Sequence, residues 1–313
     1  MICKSKNVYV AGHNGMVGSA LVRSLMRQGY NNIFTASRAE LDLTVQDDVN
    51  NFFKENSIEI VFNAAAKVGG IVGNQEMPGD FIHQNILIQS NIIDACLKNN
   101  VERHIFLGSC CIYPKFCDQP MKEDFLLTGE LEPTNEPYAV AKISGIISCQ
   151  ALHKQYKLKS VCPMPINLYG PGDNFHPEHS HVIPGLMRRI HEAKVSGIDE
   201  VTVWGTGEVK REYMHVDDCA SGIIYVADLF EAGEMINIAP GTELTTRQTA
   251  ELISEVVGYK GKLVQDLSKP DGTPRKYACS ERIKQAGWKP SIDLKEGLQE
   301  TYQWYLENVA EKK

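Results

Sequence analysis

The sequence predicts an α/β protein, with a doubly wound parallel sheet followed by a smaller C-terminal α/β region. Three observations predict it. Short apolar runs alternate with helix-period segments through residues 1–170. A glycine-rich turn joins the first run to the first helix. After residue 171 the texture becomes loop-rich, with shorter elements. Strands alternating with helices give parallel pairing with right-handed crossovers.

Taken in order, "NVYVAG" (7–12) reads as a buried strand and "VGSALVRSLMRQG" (17–29) as a helix closed by Gly29. "NIFTASR" (32–38) reads as a strand. "TVQDDVNNFFKEN" (44–56) is a helix with Thr44 placed to cap it. "IEIVFNAA" (58–65) is a strand, "GDFIHQNILIQSNIIDACLKNN" (79–100) a long helix, and "RHIFLGS" (103–109) a strand. "PYAVAKISGIISCQALHKQY" (137–156) is a helix, and "KSVCPMPINLYGP" (159–171) carries one more strand. Beyond it, "HVIPGLMRRIHEAK" starts a helix and "EVTVWGTGEVKREYMHVDD" gives two short strands around a turn. "INIAPGTELTTRQTAELISEVVGY" is a strand, loop and helix, "KPDGTPRK" a polar loop, and "LQETYQWYLENVAEKK" a terminal helix. Part of this second half is expected to return to the first sheet.

The composition narrows the function. The chain has 313 residues, 43% hydrophobic and 23% charged, with a formal net charge of −7. No basic stripe or aromatic–basic interleaving points to nucleic acid. No apolar run reaches the roughly 18 residues of a membrane span, and the N-terminus lacks a charged segment followed by an apolar signal core. A cytoplasmic protein is expected. The nine cysteines are odd in number, scattered, and form no C-x-x-C pair, so reduced thiols are expected rather than a zinc ribbon or a disulfide framework.

The glycine turn is Gly12-x-x-Gly15-x-x-Gly18, with His13, Asn14, Met16 and Val17 between. Glycines there allow a tight turn and let backbone N–H groups meet a pyrophosphate at a helix N-terminus. About 20 residues on, the second strand would end in an acid for the ribose of NAD; here Arg38 follows it. A cation at that place suits the 2′-phosphate of NADP(H), the alternative being a solvated surface arginine.

Tyr138 and Lys142 form Y-x-x-x-K, on one helix face a turn apart. A lysine ammonium and a positive nicotinamide favour the phenolate and lower the tyrosine pKa. The tyrosine then hands its proton to a carbonyl oxygen as hydride arrives. Ser109, at the end of the preceding strand, is placed to hydrogen-bond that oxygen.

At these residues the chain resembles the extended short-chain dehydrogenase/reductase family over its whole length, through "GHNGMVG", "NAAAKVGG", Ser109, "YAVAK" and "REYMHVDD". The resemblance implies a Rossmann-type nucleotide domain over 1–170. It implies a substrate domain for a sugar nucleotide over 171–313, with about 212–240 returning to the first sheet. Dehydratases of the family follow the serine or threonine with Asp-Glu; here the frame reads Ser109-Cys110-Cys111-Ile112-Tyr113. Both carboxylates are gone, and a thiol stands in the glutamate's place. That fits proton transfer at carbons α to a ketone, which is epimerisation. A partner acid on the other face is offered by the loop of His176, His179 and His181, read as one catalytic histidine and two surface ones rather than a metal site.

Within the family the match is continuous with the 3,5-epimerase/4-reductases that act on GDP-4-keto-6-deoxy-D-mannose, through "AAAKVGGI", "CIYPK", "LEPTNEPYA", "NLYGP", "DNFHP", "SHVIP" and "KPDGTPRK". This resemblance implies Ser109, Cys111, Tyr138, Lys142 and His181 as catalytic. It implies Arg189, Trp204, Arg211 and Asp271 as substrate contacts, and no metal. For NADP(H) it implies Gly12 to Gly18, Arg38, Leu107, Gly108, Ser109, Cys110, Lys142, Pro165, Ile166, Asn167, Leu168 and His181. It also implies a homodimer built on the 79–100 and 137–156 helices. Arg189 and Arg211 suit a pyrophosphate as fixed cations. Trp204 either covers a ring or packs in the core, and Asp271 either accepts a sugar hydroxyl or caps the "PDG" turn. The chain departs from the pattern at Cys110, where serine is expected, at His179, where asparagine is common, and at Ile166, which removes a hydroxyl near the nicotinamide. Two other classes stand beside this one. A plain 4-reductase or 4-epimerase would keep Ser109, Tyr138 and Lys142 without needing Cys111 and His181. A non-catalytic NADP-binding sensor is the other class, and the intact set of Ser109, Tyr138 and Lys142 speaks against it.

Overall fold

The computed structural model describes residues 2–269 and 271–311. The elements of the first half are β1 (Val8–Ala11), α1 (Met16–Arg27), β2 (Ile33–Phe34), α2 (Gln46–Glu55), β3 (Ile60–Asn63), α3 (Ile71–Glu76), α4 (Pro78–Lys98), β4 (Arg103–Phe106), α5 (Glu136–Tyr156), β5 (Ser160–Pro165) and β6 (Asn167–Tyr169). The second half holds α6 (Val182–Ser196), β7 (Glu200–Trp204), β8 (Lys210–His215), α7 (Val216–Leu229), β9 (Met235–Ile238), β10 (Glu243–Thr245), α8 (Thr246–Val257), β11 (Lys262–Asp266), β12 (Arg275–Lys276), α9 (Glu281–Gln285) and α10 (Leu294–Tyr305).

Six strands make a parallel sheet in the order β2-β1-β3-β4-β5-β9. β1 and β3 are buried at every position, as strands covered by helices on both faces must be. In α1 the buried residues Gly18, Ala20, Leu21, Ser24 and Leu25 form the core-facing stripe. The helix gives out before Gly29, whose φ of +84° suits glycine alone. The chain runs outward from β1 to β2, then crosses back to β3 on the other side of β1. That reversal opens a crevice beyond the carboxyl ends of the strands, where ligands of such sheets bind.

The second half builds its own core from Phe175, Ile183, Met187, Ile190, Ala250 and Leu298, among others. The segment α7–β9 leaves it. Val216, Cys219, Ile223, Ile236 and Ile238 are buried in the core of the parallel sheet, and β9 pairs with β5 from Cys162↔Met235 to Pro165↔Ile238.

Several elements differ from the sequence expectation. The strand expected over 159–171 is two. The pairing with β9 runs to Pro165↔Ile238, the Ile166 amide makes the last bond to Ile238, and from Asn167 the chain pairs with β8 in the second sheet. The 32–38 strand is ordered as a strand only at Ile33–Phe34. Thr44 does not cap α2. Its amide and hydroxyl donate to the Asp42 carboxylate at 2.9 and 2.7 Å, and Val45 takes the cap position. α3 is an added helix, six residues long and too short to show a period. The strands β7 and β8, expected around one turn, do not pair with each other: β7 pairs with β11, and β8 with β6, β10 and β12. Pro270, within the expected polar loop, lies outside the described residues.

Glu212 on β8 is 0% exposed. Its carboxylate accepts from the Gly241 amide at 2.6 Å and the Ala278 amide at 3.0 Å, tying three segments together. Burial wins over these hydrogen bonds and pushes its pKa from 4.5 up to about 7. The native state therefore holds a proton that the unfolded chain releases. This stabilisation is complete below about pH 4.5 and is lost as pH rises through about 7. Urea unfolding of the wild type is expected to lose about 3 kcal/mol across that window relative to Glu212→Gln, which lacks the slope. Parallel slopes in the two proteins would remove Glu212 as the cause.

Candidate active site

The phosphate-loop geometry is set by close approach. Gly12 has φ +81°, and a Cβ there would lie 2.8 Å from the Ala65 backbone; one on Gly18 would lie 2.1 Å from the Gly12 carbonyl oxygen. Gly15 caps α1 without a side chain, and the first turn carries no acid. The orphan N–H groups of that turn are left for an anion. The ring of His13 in the same loop has a buried Nδ1 without a partner among the described residues. A dinucleotide pyrophosphate fits this cradle. Arg38 is exposed just past β2, and among the described residues no ion pair engages it.

At the end of β4, Gly108 lets the chain pass against Met164, whose sulfur would sit 2.2 Å from a Cβ at that place. Ser109 follows, and its hydroxyl accepts from the Cys111 amide at 3.2 Å, capping a short turn over Cys110–Ile112. The two thiols part company there. Cys110 points into the core with its sulfur on the Met164 carbonyl at 3.5 Å, and burial pushes its pKa well up. Cys111 is half-buried and faces the cleft.

α5 brings up Tyr138 and Lys142. Lys142 is buried, donates to the Leu107 carbonyl at 2.8 Å, and lies 5.0 Å from the centre of the Phe106 ring. Burial pulls its pKa down to about 8. Tyr138 departs from the expectation that the lysine lowers its pKa. Burial, and then the neighbouring Cys111, push the phenol above its usual value, and only a hydrogen bond with Ser109 opposes them. With its ammonium turned to the Leu107 carbonyl, Lys142 does not offset the desolvation of the phenol.

The histidine loop is cross-braced. His176 Nδ1 accepts from the Glu178 and His179 amides at 3.2 and 3.3 Å, and its ring stacks on His179 at 4.6 Å. His179 is not the surface residue expected: it is half-buried, with an enclosed Nδ1 that has no partner among the described residues. His181 caps α6 with an exposed ring that lines the cleft, Nδ1 4.0 Å from Asp173 Oδ1. Among the described residues no cluster of three or more His, Cys, Asp or Glu is placed to hold a metal.

On the far wall, Arg189 donates to the Gly185 and Thr202 carbonyls at 3.2 and 3.1 Å, and its guanidinium lies 5.5 Å from the Trp204 ring centre. Trp204 is 55% exposed, which excludes the core-packing alternative. Burial lowers the pKa of Arg211, against the pull of Tyr213, Asp271 and Cys111. Asp271 does not cap its own turn. It reaches across to Thr206, accepting from the amide at 3.0 Å and the hydroxyl at 2.9 Å.

Every residue expected at the site lines one cleft of about 1450 Å³, from Gly12 and Arg38 through Pro165, Ile166, Asn167 and Leu168 to Asp271. No sequence pattern pointed to Phe116, 79% exposed at the cleft wall, or to the Lys115–Glu132 ion pair at 3.1 Å beside it. Both lie in loops without a periodic pattern.

The chain belongs to the NAD dependent epimerase/dehydratase family, whose model matches residues 8–239. Within it, the chain is 55% identical over 311 residues to "Probable GDP-L-fucose synthase 1" of Oryza sativa subsp. japonica, covering 99% of this chain and 95% of that protein. It is 50% identical to the GDP-L-fucose synthase of Escherichia coli (strain K12), covering 97% of each. Among solved structures, a GDP-mannoheptose C4 reductase from Campylobacter jejuni with NADP bound superposes with a TM-score of 0.89 at 32% identity, covering 98% of this chain and 100% of that one.

Proposed function

We propose that this chain converts GDP-4-keto-6-deoxy-D-mannose to GDP-L-fucose, inverting C3 and C5 and then reducing the C4 ketone with NADPH. The names of its relatives support the overall reaction. The observation that carries the two-step form is that Cys111 and His181 line the same cleft as Ser109, Tyr138 and Lys142. A plain 4-reductase has no use for the first pair.

Cys111, as thiolate, takes the proton from a carbon beside the ketone and becomes a thiol. The electron pair moves onto the ketone oxygen as an enolate. His181 gives its ring proton to the opposite face of the same carbon, and the ketone returns. Proton exchange with solvent restores both groups before the second carbon reacts. NADPH, when bound, supplies hydride to C4. Tyr138 gives its hydroxyl proton to the C4 oxygen, and Ser109 hydrogen-bonds that oxygen. Lys142, held at the Leu107 carbonyl, keeps a positive charge in the cleft one helical turn along α5 from the phenol. Arg189 and Arg211 hold the diphosphate of the substrate, Trp204 covers a ring face, and Asp271 orders the 205–207 turn beside it.

The test is to mix the protein with GDP-4-keto-6-deoxy-D-mannose and NADPH, follow the nicotinamide absorbance and identify the sugar. A fucose-configured product is expected, whereas a product reduced at C4 without inversion would make this a plain 4-reductase. Arg38 is assigned to the 2′-phosphate. Arg38→Asp is expected to weaken NADPH by about tenfold or more, for a lost charged hydrogen bond, and NADH far less. Equal losses, measured by titrating both cofactors, would remove Arg38 from that role.

The same reading takes 1–170 as the nucleotide domain and 171–313 as the substrate domain. It places the protein in the cytoplasm as a homodimer joined through α4 and α5, where Val140 and Ile147 are exposed on α5. Among the described residues no helix is long and apolar enough to cross a membrane.

A further inference from the structure

Asp173 has no part in the reaction as described so far, yet its carboxylate is placed at one of the reacting groups. Its side chain is 3% exposed. Oδ1 accepts from the Asn174 amide at 2.7 Å and lies 4.0 Å from His181 Nδ1. Oδ2 is fully enclosed and has no hydrogen-bond partner among the described residues. A buried carboxylate oxygen left unpaired is costly, so a role limited to capping the Asn174 amide leaves half the group unexplained.

The loop between the two residues is built to hold them. Phe175 anchors it in the second core, packed on Tyr305 at 4.8 Å. Arg188 donates to the Phe175 carbonyl at 2.9 Å. Asn174 accepts from the His176 amide at 3.0 Å and donates to the His179 carbonyl at 3.3 Å. The carboxylate is therefore fixed, while the ring of His181 is exposed and free to turn toward it.

We infer that Asp173 is a positioning residue for His181, acting through the ring nitrogen that faces away from the substrate. Turning the ring a short way makes Nδ1–H donate to the carboxylate. This fixes the tautomer, leaves Nε2 to the cleft and stabilises the imidazolium before it gives up its proton. His181 then loses the Nε2 proton to the sugar carbon and keeps the proton on Nδ1, hydrogen-bonded to the carboxylate, which leaves a neutral imidazole beside an ionised Asp173. The inference rests on the reading of His181 as the proton donor in epimerisation.

The test uses the full chain with NADP+, so that no reduction occurs, and follows the inverted 4-keto sugar formed from GDP-4-keto-6-deoxy-D-mannose. Reduction of the uninverted sugar by NADPH is measured separately. In Asp173→Asn, the inversion rate is expected to fall by about tenfold or more relative to that variant's own reduction rate, for a lost hydrogen bond to a charged group. Asp173→Glu is expected to recover part of the loss. In protein labelled with ¹⁵N-histidine, the His181 signals are expected to leave the Nδ1–H pattern in Asp173→Asn. Equal falls in inversion and reduction would mean a structural role only and would overturn the inference. So would unchanged inversion in Asp173→Asn where His181→Phe abolishes it. Unchanged inversion in His181→Phe would instead overturn the donor reading of His181, and this inference with it.

Discussion

Cys111→Ser is expected to separate the two halves of the reaction, with deuterium entry at C3 and C5 falling by about 10²–10⁴-fold, the range for losing a positioned base. Reduction continues in that variant, and its product carries the uninverted, rhamnose-like configuration. The local geometry favours so clean a separation. Cys111 meets the cleft with its side chain, while its amide is held by the Ser109 hydroxyl at 3.2 Å. Serine has nearly the same size and keeps the amide, so the turn over Cys110–Ile112 and the position of Ser109 are retained. What changes is acidity: a thiol gives up its proton far more readily than a serine hydroxyl. The neighbouring thiol does not substitute, because Cys110 is turned into the core and burial holds its sulfur protonated. A variant that forms fucose at the wild-type rate would show that the base is another group.

These residues were legible in the sequence because their chemistry is local. A glycine that must bring backbone against backbone, as Gly18 does against Gly12, permits no other residue. Two side chains a helical turn apart share a face whatever surrounds them. The alternation of strands and helices followed from apolar runs long enough to count. What the sequence left hidden depends on contacts between distant segments. Thr44 has the look of a cap until Asp42 takes both of its donors. Asp271 reads as a turn residue until Thr206, 65 positions away, claims its carboxylate. The break after Pro165 is visible only once β9 and β8 are known to belong to different sheets. Lys142 follows the same rule: its place in the helix is local, but its pKa comes from burial beneath β4.

That difference matters most for Tyr138. Reduction needs a proton donor, and burial holds the phenol in its protonated form through neutral pH. The cleft is therefore set for reduction before any cofactor charge acts on it. Tyr138→Phe removes one hydroxyl, and the hydrogen bond with Ser109, while leaving the ring in place. NADPH oxidation in this variant is expected to slow by about 10²–10⁴-fold, while deuterium entry at C3 and C5 continues and the inverted 4-keto sugar accumulates. This is the mirror of Cys111→Ser, and the two together assign each step to its own residues. The pH profile adds a second readout, because kcat/KM reports the groups of the free enzyme. Lys142 titrates at about 8, below the phenol, and is the first of the pair to change charge as pH rises. Above that pH Lys142 is neutral, and the cleft in which hydride arrives and a phenolate develops has lost one positive charge. The alkaline limb of kcat/KM for reduction is therefore expected near pH 8. A limb displaced to the tyrosine range would mean that the lysine charge contributes nothing to the step. Reduction by Tyr138→Phe at the wild-type rate would mean that the proton reaches the C4 oxygen from elsewhere.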